Sequence, residues 1–195
     1  MTTNILRRLA SRKLAGFCAL AVLMVLTRSG HTGTPWSLPD ASWAVLYLAG
    51  FYFGREWRWA LPLLICTAFA VDFIVIRDFG VSSYCVTAAY AFNVVAYSLL
   101  WLGGSWLRRG YRHEPIDLVR CAASLGIAAS LCFLVTNASF YWLGGRVADP
   151  TLGGWWRNFT GWYAAFVGVS FLYVGIATVL HAAFARHARL PVKAN

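Results

Sequence analysis

The sequence predicts an all-α integral membrane protein, a single domain over residues 1–195 with six transmembrane helices and both termini cytoplasmic. Three observations carry that expectation. The chain is 59% hydrophobic and only 12% charged, with a mean hydropathy of +0.60, which is too apolar for an ordinary soluble domain. Its apolar runs follow one another with short polar breaks and no Pro/Ser-rich linker or repeat. Finally, its cations alternate. Arg7, Arg8, Arg12, Lys13, Arg55, Arg58, Arg108, Arg109, Arg112, Arg120, Arg186, Arg189 and Lys193 fall at one set of helix ends, against Arg28, Arg77, Arg146 and Arg157 at the other. By the positive-inside rule the first set faces the cytoplasm. The net charge of +10 is therefore a topological signal rather than a nucleic-acid footprint, and no nucleic-acid partner is expected.

The first helix is expected over about 10–27. Its basic start and LAGFCALAVLMVLT core resemble a signal peptide, but Thr-Arg-Ser-Gly replaces the small-residue cleavage pattern, so an uncleaved helix is expected. Ala15 and Ala19 form a small-xxx-small step that admits close helix approach, within the bundle or to a partner. The following RSGHTGTPWSLPD segment forms an outer loop, because its prolines and glycines interrupt helix, and it exposes His31 and Trp36.

The second helix, 41–54, is short of the ~20 residues that span a bilayer and must borrow from its flanks, tilt, or be shielded by neighbours. After the GREWRW turn comes the third helix, 59–76, with Pro62 near its start, where the missing N–H costs least, and Asp72 near its end. Arg77, Asp78 and Gly80 make the next turn; Ser82 or Ser83 then caps a fourth helix over 84–102.

A basic loop with Arg108, Arg109 and Arg112 faces anionic lipid or a cytoplasmic partner. In the fifth helix, 118–143, the spacing of Ala122, Gly126 and Ser130 predicts a tightly packed face. A glycine-rich loop then carries Trp155 and Trp156, either as interface anchors or as stacking groups, before the sixth helix over 159–184.

The chemically unusual residues gather at the outer ends: His31 and Trp36; Asp72, Tyr84, Cys85 and Tyr90; and Asn137 and Tyr141. An intramembrane carboxylate costs a few kcal/mol, so Asp72 either serves a site or pairs with a neighbouring helix or Arg77. Cys85 is either a small packing residue or a soft ligand for a transition metal. Cys18, Cys66, Cys121 and Cys132, inside apolar runs, read as packing residues. His31 is a second ligand or a solvated loop residue. No GxSxG, HExxH or GxxxxGK[ST] pattern occurs, so hydrolase chemistry is poorly supported and no P-loop ATP site is present in the sequence.

The segments LYLAGFYFGREWRWALPLL, VDF with Asp72, SSYCVTAAYAF with Cys85 and Tyr90, and FLVTNASFYWLGG resemble the substrate-binding S-components of energy-coupling factor (ECF) vitamin transporters, specifically the BtuM-type cobalamin proteins. That resemblance implies a six-helix protein of the cytoplasmic membrane that binds cobalamin (vitamin B12) or a related corrinoid from outside. It further implies that the Cys85 thiol ligates cobalt, that Asp72, Tyr90 and His31 shape the site, and that the cyano ligand of cyanocobalamin can be displaced at Cys85. The implied partners are the lipid bilayer, an ECF transmembrane coupling subunit reached through Ala15 and Ala19, and the ATPases that drive it. Three other readings remain: an S-component for another vitamin, a membrane metal-binding or redox protein using Cys85, His31 and Asp72, and a structural subunit whose polar residues join helices.

Overall fold

A computed structural model describes residues 2–29 and 38–187. For residues 2–10, 12, 85 and 185–187 it describes the backbone alone. His31 and Trp36 lie outside the described residues. Six α-helices occur in the order α1 (Thr2–Arg28), α2 (Ser42–Phe53), α3 (Trp57–Phe79), α4 (Asn93–Gly110), α5 (Ile116–Leu143) and α6 (Leu152–His187), and no strand is present among the described residues.

The helices run antiparallel. Arg28 at the end of α1 bonds both Asp40, just before α2, and Asp72, late in α3, while Lys13 pairs with Glu56 in the turn between α2 and α3. One end of the bundle therefore holds Arg28 and the opposite end holds Glu56. A single 3-10 turn, Gly54–Glu56, reverses the chain between α2 and α3.

Helix α2 is the centre of the fold. Eleven of its 12 residues are buried, so it is apolar on all sides rather than striped. Shielding by neighbours, one of the three options its short length left open, is thus the one realised. It meets α4 at backbone contact: a Cβ on Gly50 would stand 2.1 Å from the Trp101 carbonyl oxygen, and one on Gly104 would stand 1.9 Å from that of Tyr47. Only glycine permits such an approach. Ser105 Oγ donates to the Gly50 carbonyl at 3.1 Å, which takes up an acceptor that would otherwise be costly in the interior.

The close contact between α4 and α5 uses Gly103 against Ala128, with Ser124 Oγ donating to the Gly103 carbonyl at 2.8 Å. This corrects the expectation for Ala122, Gly126 and Ser130. Ala122 is exposed, and Gly126 and Ser130 meet Phe171 and Tyr163 of α6 through side chains rather than backbone. Cys18 and Cys66 are likewise exposed, whereas Cys132 is buried and Cys121 half-buried. Packing thus describes two of the four cysteines.

The exterior is apolar. Leu14 and Leu26 on α1, Leu63 and Phe73 on α3, Leu102 on α4, Ile127 on α5, and Leu172, Ile176 and Val179 on α6 all face outward. Such a surface suits lipid and not water. Three helical stretches, Ser42–Phe79, Ile116–Leu143 and Leu152–Phe184, are long and apolar enough to cross a membrane; the first is the α2–α3 hairpin. These features describe a helical membrane protein.

Several boundaries differ from expectation. Helix α3 starts at Trp57, two residues before the expected start, so Pro62 lies in its second turn. Gly80 ends α3 in the left-handed conformation (φ 66°), its N–H bonded to the Val75 carbonyl. Helix α6 begins at Leu152, which places Trp155 and Trp156 on a helix and not in a loop. The largest departure is at 84–102. Ser83–Cys85 and Ala88–Phe92 are separate 3-10 turns, and α4 begins only at Asn93. Ser82 Oγ and Thr87 Oγ1 each accept a backbone N–H two residues on, which favours turns over a continuous helix.

Replacing Gly50 by alanine is expected to cost at least the ~1–3 kcal/mol of core overpacking, read as a lower melting temperature and aggregation on size-exclusion chromatography in detergent. Gly110→Ala, where an added Cβ meets nothing within 4 Å, is expected to leave both unchanged.

Candidate functional site

At the Arg28 end an arginine is held among carboxylates. Its side chain is 8% exposed. Arg28 Nε and Nη2 donate to Asp72 Oδ1 and Oδ2 at 2.6 and 2.7 Å, a bidentate pair. The remaining Nη1 donates to Asp40 Oδ2 and Ser42 Oγ, both at 3.1 Å. Asp40 in turn accepts from the Ser42 amide at 2.8 Å. The guanidinium also lies 6.0 Å from the ring centroid of the buried Tyr97.

Tyr90 joins this network by donating its hydroxyl to Asp72 Oδ2. The two turns of the Ser83–Phe92 segment make this reach feasible, because they lay the chain over the end of α3 before α4 descends. Phe69, one turn before Asp72 on α3, packs against Tyr90 with ring centroids 4.8 Å apart.

Between α3 and this segment lies a cavity of about 230 Å³ lined by Phe69, Asp72, Phe73, Ile76, Ser83, Val86 and Tyr90. Cys85 sits in the chain between two of these residues, Ser83 and Val86, and its backbone closes the 3-10 turn. Its side chain is outside what the structure describes. The geometry therefore brings Asp72 and Tyr90 together beside the backbone of Cys85.

The other expected site residues fall elsewhere. Tyr84 leaves the cavity and is 51% exposed; its ring stands 5.7 Å from Phe140 and 5.0 Å from the Arg146 guanidinium, while Arg146 Nε donates to its carbonyl at 3.1 Å. Tyr141 is buried, and its hydroxyl exchanges hydrogen bonds with the backbone of Thr151 at 3.3 Å, clamping the α5–α6 connection. Asn137 Nδ2 donates to Asn158 Oδ1 at 2.8 Å, linking α5 to α6. These residues wall the same end of the bundle without lining the cavity.

Of the two pairings open to Asp72, the neighbouring-helix one is realised; Arg77 instead lies beside Asp78, at an exposed 3.7 Å. The residue that sequence reasoning passed over is Arg28. The usable signal was its place: a cation at the sparsely charged end of an apolar run needs a carboxylate partner, and Asp40 and Asp72 were both available at that end. No group of three or more His, Cys, Asp or Glu side chains placed to hold a metal occurs among the described residues, a set that contains neither His31 nor the Cys85 thiol.

No protein-family model and no curated protein matches this chain.

Removing Arg28 leaves the half-buried Asp72 without its cation. Arg28→Met is expected to destabilise by ~3–5 kcal/mol, and Arg28→Lys is expected to recover little, since an ammonium cannot reproduce the two-pronged bond. In a double-mutant cycle read by melting temperature, Arg28→Met with Asp72→Leu should be less destabilised than Arg28→Met alone.

Proposed function

We propose that this chain is a membrane protein that captures cobalamin, or a related corrinoid, at its Arg28 end and delivers it across the cytoplasmic membrane, as the resemblance of its VDF and SSYCVTAAYAF segments to BtuM-type proteins implies. The observation that carries the reading is the cavity in which Asp72 and Tyr90 converge with Ser83 and Val86, which lie on either side of Cys85 in the chain. A corrin ring is wider than this cavity, so in the proposed complex the ring lies across its mouth, and the Cys85 thiol ligates cobalt as the resemblance implies.

Sulfur is a soft donor suited to cobalt. Binding cyanocobalamin through Cys85 forms an S–Co bond as the Co–C bond to cyanide breaks, and the thiol proton leaves with cyanide as hydrogen cyanide. Cobalt keeps its oxidation state, so the exchange needs no redox partner. Asp72, itself held by Arg28, keeps the Tyr90 hydroxyl in place, and His31 and Trp36 are assigned to corrinoid binding in this reading. The six helices each cross the bilayer in this reading, with the arginine-rich ends and both termini inside.

Delivery needs an energy source, and the sequence carries no P-loop of its own. The reading therefore includes a membrane coupling subunit and ATPases. Ala15 and Ala19 lie on the exposed side of α1, where such a subunit could pack closely.

One observation favours a second reading. Asp72 is already satisfied by Arg28 and Tyr90, as expected of a residue that merely joins helices.

The visible spectrum of the detergent-purified protein, incubated with cyanocobalamin and desalted, separates the readings. Retained and shifted corrin bands in the wild type, with the shift and the release of cyanide lost in Cys85→Ala, are the expected result. A folded but colourless wild type would overturn the corrinoid assignment and leave the helix-joining role, another vitamin, or a bare metal ion at Cys85. Tyr90→Phe is expected to bind the corrinoid about tenfold more weakly, the equivalent of one hydrogen bond.

A further inference from the structure

The connection from α5 to α6 puts a cation beside the turn that contains Cys85. Helix α5 ends at Leu143, the Gly144 N–H bonds the Phe140 carbonyl, and Gly145 takes the left-handed conformation (φ 65°) that a side chain would strain. Beyond this bend Arg146 lies against the Ser83–Cys85 turn. Its Nε donates to the Tyr84 carbonyl at 3.1 Å, and its guanidinium lies 5.0 Å from the centroid of the Tyr84 ring. Phe140 packs on the same ring at 5.7 Å. A free exposed arginine loses much rotamer entropy with any bond it makes. This one is already held by a backbone bond and an aromatic ring.

The rest of its fork is unspent. Among the described residues Arg146 joins no ion pair, although Asp149 is near in the chain, and neither of its Nη atoms has a hydrogen-bond acceptor. Other cations of this end are differently placed. Arg28 is taken up by Asp72 and Asp40, and Arg77 lies beside Asp78; Arg157 is exposed on α6. Paired guanidinium N–H groups match two oxygens of a phosphate, which they bind in forked fashion.

We propose that Arg146 forms a phosphodiester subsite of the outer site, taking the phosphate in the nucleotide tail of a corrinoid. The inference rests on the corrinoid reading. In that ligand the phosphodiester is the one anion of the organic framework, since the other side arms of the ring are neutral amides, and it hangs from the rim of the ring. A ring lying across the cavity mouth brings its rim over the flanking turn, where Tyr84, next to the cavity-lining Ser83, points outward. The subsite makes the protein prefer corrinoids that carry the phosphate over fragments that end before it. A lipid headgroup offers the same phosphodiester chemistry, and the experiment separates the two sources.

Three ligands in their cyano forms are compared by absorbance titration of the full chain, delipidated in a maltoside detergent. They are cobinamide, which lacks phosphate and base, cobinamide phosphate, which lacks the base, and cobalamin. Wild type should bind the two phosphate-bearing ligands about tenfold more tightly than cobinamide. Arg146→Gln should erase that advantage and keep its affinity for cobinamide, while Arg157→Gln should retain it. Equal binding of cobinamide and its phosphate by the wild type would overturn the subsite. So would an advantage that survives in Arg146→Gln, which leaves the arginine to lipid headgroups, or an equal loss of all three ligands, which makes it a support for the Tyr84 turn. Loss of the advantage in Arg157→Gln would reduce the effect to the overall charge of this end and overturn it too. A folded wild type that binds none of the three would instead sink the corrinoid reading, and the subsite with it.

Discussion

The candidate site depends on one buried cation. A guanidinium cannot be neutralised at any ordinary pH, so Arg28, 8% exposed in an apolar bundle, must be surrounded by acceptors or stay out of the interior. Its donors are met from three directions: α3 supplies Asp72, the approach to α2 supplies Asp40, and the first turn of α2 supplies Ser42. The end of α1 is thereby tied to both of its neighbours. Tyr90 binds Asp72 in turn, which fixes the Ser83–Phe92 segment over α3. Without this network the cavity beside Cys85 would lose one wall, because nothing else described there bonds the Tyr90 hydroxyl to α3.

A second constraint acts at the centre. Helix α2 is only 12 residues long, about 18 Å at 1.5 Å per residue, against a hydrocarbon core of about 30 Å. A short helix exposed to lipid would leave its terminal amides and carbonyls unsatisfied. This one avoids the difficulty by burial among its neighbours, and Ser105 and the Arg28 network meet polar groups along its length and at its start. The residues that permit the burial are Gly50 and Gly104, since any side chain there would push the two backbones apart.

The sequence made some of this legible. The shortness of the second helix showed that it must borrow from its flanks, tilt or be shielded, without saying which, and the cost of an intramembrane acid marked Asp72 as serving a site or pairing with a neighbour. It did not disclose Arg28 as the partner, because the pair is 44 residues apart and Arg77 was nearer in the chain. The start of α4 was misplaced for a different reason. Tyr84 to Phe92 is rich in alanine and aromatics and reads as helix by composition, yet Ser82 and Thr87 bond their own backbone, and the bond from Tyr90 to Asp72 holds the turns in place. Tyr141 and Asn137 were correctly placed at the same end as Asp72, but spacing alone could not say that the Tyr141 hydroxyl is spent on Thr151 just before α6 and Asn137 Nδ2 on Asn158 of α6, with Asn137 Oδ1 left buried without a hydrogen-bond partner.

The packing of α2 against α4 also bears on how a cargo held at the Arg28 end could reach the other side. Between the cavity and the opposite end of the bundle, Gly50 meets Trp101 and Gly104 meets Tyr47 at backbone contact. Tyr47 closes the gap toward α5 by donating to Ser124 Oγ at 3.1 Å. A path for a large ligand through this core would require α2 and α4 to separate, opening close-packed surface and exposing the Gly50 carbonyl that Ser105 now satisfies. Such separation dismantles the most tightly fitted contact in the protein. Moving the bundle as a unit dismantles nothing. Under the proposed function, the resemblance to S-components implies delivery by tilting of the whole bundle against a partner, and the close contact of α2 with α4 is compatible with that movement.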